Sequence, residues 1–165
     1  MKLYILSGLL VLTACTAPET PVQSDEELKA GVTATFTQYF RYLNDANYDS
    51  AFTYLADDKR FHWIEDGRIR YVAPEGMKRA YSQYKTRYQY QRLTIDTLDV
   101  QLLDPKTAAV TVEYDHLYRL NTGDSLYDHG TLSLTMKQYP AGWRILHGHS
   151  SIERKPLPST LRPPK

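Results

Sequence analysis

The chain has 165 residues, with 20 Lys and Arg against 19 Asp and Glu and a formal net charge of +1. A near-neutral chain without a basic run lacks the electrostatic footprint that nucleic acid requires, so no nucleic-acid partner is expected. Its one cysteine, Cys15, excludes an internal disulfide, and the length suits one domain with one core.

The first fifteen residues, MKLYILSGLLVLTAC, have the layout of a targeting segment: Lys2, then an apolar run from Leu3 to Leu12, then small residues before Cys15. That run is too short to cross a bilayer as a stable helix. Leu12-Thr13-Ala14-Cys15 resembles the lipobox of bacterial lipoproteins, in which the peptide is cut before the cysteine and its sulfur receives lipid. The expectation is a signal peptide over 1–14 and a lipidated Cys15 that anchors the protein to a membrane, since acyl chains add about 0.8 kcal/mol per buried methylene. Thr16 stands where the resemblance would place an aspartate in an inner-membrane lipoprotein. The expected location is therefore the cell envelope, on the periplasmic side of the outer membrane if the host has two membranes. Residues 15–24 carry Pro18 and Pro21 and form a flexible tether, and 155–165, with four prolines, form an extended tail.

Between these lies a domain over 25–154. From Asp25 the apolar residues Leu28, Val32, Phe36, Tyr39, Phe40 and Leu43 recur at three and four, which predicts a helix, and Ser24 with Glu27 offers a capping box. A short helix follows Asn47, a strand is expected over 60–65, and Asp66-Gly67 signals a turn. Pro74 opens a third helix with Met77, Ala80, Tyr81, Tyr84 and Tyr88 as its stripe. After Gln89 the period changes to two, giving four strands over 92–103, 107–120, 126–139 and 142–153. Their joints are short, so consecutive strands pair antiparallel. The fold class is α+β, with three N-terminal helices packed on a strongly bent, mostly antiparallel sheet.

This order of elements, the segment YLADD (residues 54–58) before the first strand, the alternation TAAVTVEY (107–114) and the closing GWRILHGHSS (142–151) resemble the SnoaL-like branch of the nuclear transport factor 2-like superfamily. The resemblance implies a cystatin-like cone whose sheet wraps the long helix, a pocket at its wide end, and in many members a homodimer formed through the convex sheet face. It does not fix an activity, because such domains include isomerases, dehydratases and ligand carriers.

Strict alternation along the last strand places Trp143, Ile145, His147, His149 and Ser151 on one side, grading from apolar to polar. His147 and His149 are thus candidate acid/base groups, suited by an imidazole pKa near neutrality, with Ser151 beside them on the wall. Tyr39, Tyr81, Tyr84 and Tyr114, with Trp63 and His116, are the candidate ligand-binding residues of an aromatic, weakly polar pocket for a small apolar or aromatic molecule. A metal shared by His147 and His149 needs a third ligand from His129, His116, Asp115 or His62. His129 is expected to face outward, and no metal site is assigned. In the ketosteroid isomerase branch a carboxylate base lies where this chain has Trp63, while Glu65 and Asp66 follow two and three positions later. A binding module without turnover is therefore the preferred reading. The alternative is a cofactor-independent isomerase or dehydratase using a pocket histidine and tyrosines. No cofactor is expected for either.

Overall fold

The computed structural model describes residues 23–158. The expected signal peptide, Cys15 and most of the tether lie outside them, as does the end of the tail. Helix α1 spans Asp25–Asn44. Its start is fixed reciprocally: the Ser24 hydroxyl accepts from the Glu27 N–H at 3.3 Å, and the Glu27 carboxylate accepts from the Ser24 N–H at 2.8 Å. Asp25, Glu26 and Glu27 add negative charge to the first turn, where the helix dipole favours it. One face of α1 buries Leu28, Val32, Phe36, Tyr39 and Phe40, each contributing about 2 kcal/mol of apolar transfer. Asn47 caps the short α2 (Tyr48–Phe52), its side chain accepting from the Ser50 N–H. Pro74 begins α3 (Pro74–Tyr84) at a position where its missing N–H costs nothing.

Six strands form one mixed sheet in the order β2-β1-β6-β5-β4-β3. They are β1 His62–Glu65, β2 Arg68–Tyr71, β3 Tyr88–Asp104, β4 Thr107–Leu120, β5 Ser125–Tyr139 and β6 Gly142–Lys155. All neighbours pair antiparallel except β1 and β6, which run parallel with His62 opposite His147. Two elements differ from expectation. The Asp66-Gly67 turn, with φ of 45° and 79°, closes a hairpin onto β2. Its residues are mostly exposed, so they left no buried period to read. Tyr88 belongs to β3, because α3 ends at Tyr84.

The ladders contain breaks that bend the sheet. In β3 the pairing skips at Gln89, Asp96 and Leu103. In β6 it skips Leu146, since Met136 faces Ile145 and Thr135 faces His147. The β6 break has a local cause. At Ile145 the strand bonds to the segment after α2, its N–H donating to the Tyr54 carbonyl and its carbonyl accepting from the Ala56 N–H, both at 2.8 Å. From His147 onward it bonds to β1 instead. Leu146 is the extra residue between these two partners.

Candidate functional site

Because Leu146 is extra, β6 changes faces along its length. Trp143 and Ile145 are buried in the core, but beyond the bulge Gly148, Ser150 and Ile152 face the helices. Gly148 lies under Trp63, and Ser150 and Ile152 line a cavity. His147, His149 and Ser151 are on the other side of the sheet, so the expectation that they edge the pocket is wrong. His149 and Ser151 are exposed. His147 packs its ring 3.9 Å from that of His62, and its Nε2 donates to the Arg60 carbonyl at 3.0 Å. Neither histidine lines that cavity.

The cavity, of about 210 Å³, lies between α1, α3 and the inner face of the sheet. Of the residues expected in it, Tyr39 comes from α1, Trp63 from β1, Tyr81 and Tyr84 from α3, and Tyr114 and His116 from β4, and all six stand on its wall. Two glycines seat the largest rings. A Cβ on Gly148 would come within 2.1 Å of the Trp63 ring, and one on Gly130 within 2.4 Å of the Tyr114 ring. At these two places the sheet backbone itself forms the floor beneath an aromatic plane.

The rings are linked edge to face and face to face. Tyr81 meets Tyr84 at 5.1 Å and 76°, Tyr84 stacks on Tyr88 at 5.8 Å and 14°, and Tyr88 touches Tyr118 at 5.1 Å. His116 lies against Tyr118 at 4.5 Å. Such contacts give each ring a fixed orientation, worth about 1 kcal/mol per pair beyond burial. Burial pushes Tyr88 and Tyr114 up to about 12 and raises Tyr39 and Tyr81 well above the ordinary phenol value. All four therefore keep their hydroxyl protons at neutral pH and can donate. Burial also lowers His116 to about 4, so its ring is neutral.

Three acidic residues line this wall: Glu65, Asp128 and, at the β1–β2 turn, Asp66. Glu65, two residues after Trp63 and on the same face of β1, lines the cavity. Desolvation raises its pKa, while Arg70, 3.9 Å away, opposes the rise. Its charge is felt at Tyr39, Tyr81 and Tyr114. The second, Asp128 on β5, is only 2% exposed. It accepts the Tyr118 hydroxyl at 2.9 Å and is ion-paired with Arg154, which also donates to the Tyr118 oxygen at 2.9 Å. Sequence reasoning missed Asp128 as a site residue. The signal was present, because Asp128 shares strand parity with Leu132, Leu134 and Met136, the apolar set of β5. Of the residues considered as a third ligand, only His62 lies against His147; His116 lines the cavity, and Asp115 pairs with His129. His129 is on the outer face, opposite Asp115 in the ladder.

The described residues thus form an α+β sheet bent around a long helix, with a cavity lined by tyrosines and carboxyl groups between them. The chain belongs to the SnoaL-like domain family, whose model matches residues 32–155. Solved structures share the fold at low identity. A hexachlorocyclohexane dehydrochlorinase of type 2 superposes with a TM-score of 0.71 at 13% identity, over 84% of this chain and 95% of that one. A proposed aromatic ring hydroxylase from Novosphingobium aromaticivorans gives 0.70 at 10% identity, over 81% and 96%. A protein with a cystatin-like fold from Caulobacter vibrioides gives 0.65 at 20% identity, over 77% and 90%. A search of curated proteins finds no match.

Proposed function

We propose that the domain binds a small, flat, weakly polar molecule in the tyrosine-lined cavity, held between ring faces and fixed by hydroxyl donors. The observation that carries this is the unbroken chain of rings from Tyr81 through Tyr84 and Tyr88 to Tyr118 along one side of a cavity of about 210 Å³. The ring-bearing compounds named for two of the similar structures, a hexachlorocyclohexane and an aromatic ring, support it. Calorimetric titration with 2-naphthol tests it. A one-to-one complex is expected, and Tyr84→Ala weakens it about tenfold by removing two ring contacts. Equal binding to both proteins, or none, overturns the reading.

One observation favours turnover as a second reading. Glu65 brings a carboxyl group with a raised pKa to the same wall as protonated Tyr39, Tyr81 and Tyr114. That combination is competent to take a proton from a carbon beside a carbonyl while the phenols stabilise the resulting oxyanion. Exchange of the α-hydrogens of 2-tetralone for deuterium, read by NMR, separates the two readings. Catalysed exchange that Glu65→Gln abolishes supports the enzyme, and exchange no faster than in buffer leaves binding alone. The proposal also places the domain on a membrane surface through Cys15.

A further inference from the structure

We propose that the outer face of the sheet carries a binding site for a divalent transition ion such as zinc, formed by Asp96, Asp115 and His129. The site is separate from the cavity and does not depend on its proposed role. The three residues come from three adjacent strands, β3, β4 and β5. In the β4–β5 ladder Asp115 stands directly opposite His129. Asp96 reaches the same place because it is the residue that β3 leaves out of its ladder, between Ile95 facing Tyr114 and Thr97 facing Glu113. A bulge of this kind interrupts the ladder locally, bends the strand and re-aims a side chain.

The geometry matches a metal in several respects. One ligand atom from each residue lies within 4.8 Å of the other two. His129 Nδ1 is 3.1 Å from an Asp115 oxygen and 3.9 Å from an Asp96 oxygen. Those separations bracket the value of about 3.4 Å that a tetrahedral ion with bonds of about 2.1 Å imposes on its ligands. Among the described residues, neither carboxylate forms an ion pair with a lysine or arginine, and the His129 ring lies against both. Glu153 stands across from His129 on β6, with its carboxylate paired to Lys155. An imidazole with two carboxylates selects zinc, manganese or nickel over calcium, which takes six or more oxygens.

The test is calorimetric titration of the full chain, stripped with EDTA and carrying Cys15→Ser to remove its one thiol. With zinc chloride, one equivalent is expected to bind and to raise the unfolding midpoint, while calcium chloride gives no comparable heat. His129→Ala and Asp115→Asn each weaken zinc binding about tenfold or more, and His149→Ala, also on the outer face, leaves it unchanged. Asp96→Asn, at a side chain that is 42% exposed, gives the same loss without risk to the core. The site is overturned if zinc binds His129→Ala and Asp96→Asn as well as it binds the parent. It is equally overturned if no zinc binds, or if only His147→Ala and His149→Ala abolish binding.

Discussion

His116 shows how a single ring couples the cavity to pH. It is enclosed by Tyr88 and Tyr118, and burial lowers its pKa to about 4 from the ordinary 6.5. Between those values the unfolded chain binds a proton that the folded chain refuses. Stability therefore falls as pH drops from 6.5 to 4, by up to about 3 kcal/mol from this group. Glu65 acts with the opposite sign, because its raised pKa makes the folded state hold its proton longer and favours folding as pH falls. Urea unfolding at pH 7 and pH 4.5 measures the balance. In His116→Gln the acid-side loss is expected to shrink, and an unchanged difference between the two pH values would sink the assignment to His116. The residue's inward position was legible, because β4 keeps strict alternation from Ala108 to Tyr118. Its neutral state was not legible, since that depends on rings supplied by β3 and by its own strand two residues on.

At the scale of elements, the strands separate what a sequence pattern can reveal from what it cannot. Helix α1, the Asp66-Gly67 turn and the three long antiparallel strands after Asp104 follow directly from period, cap and turn chemistry. The face of β6 does not. Its bulge arises because Ile145 bonds to a segment about ninety residues earlier, a partner that local alternation cannot register. One skipped residue was enough to move His147, His149 and Ser151 from the expected wall to the opposite face. Deleting Leu146 is therefore a sharp probe. It removes the bend and the buried Leu146 side chain, and sets the Ile145 bonds to the segment after α2 against the β1 pairing, which the extra residue had separated. Loss of cooperative unfolding is expected, measured by near-ultraviolet circular dichroism. A variant as cooperative as the parent would show that the bulge is not what sets the two faces.

For the whole molecule, the family model and the solved structures agree on an α+β fold of the SnoaL-like kind. Among the described residues, no helix is long and apolar enough to cross a membrane. Attachment is proposed to come from the lipid on Cys15, which lies outside the described residues. Cys15→Ser is expected to move the protein from the membrane pellet to the soluble fraction of the envelope. If the variant still sediments with membranes, the anchor is not at that cysteine.

The breaks in β3 have a further effect. This strand runs from Tyr88 to Asp104 at the rim of the sheet, and among the described residues no strand pairs with its outer backbone edge. An uninterrupted edge of that length is a template for stacking one copy on another into a growing ribbon. The residues dropped at Gln89, Asp96 and Leu103 divide it into short runs that twist away from one another. A second copy therefore finds no long straight stretch on which to align. The irregularity that turns Asp96 outward also guards against aggregation, and a variant in which β3 is made regular would be expected to form fibres more readily than the natural chain.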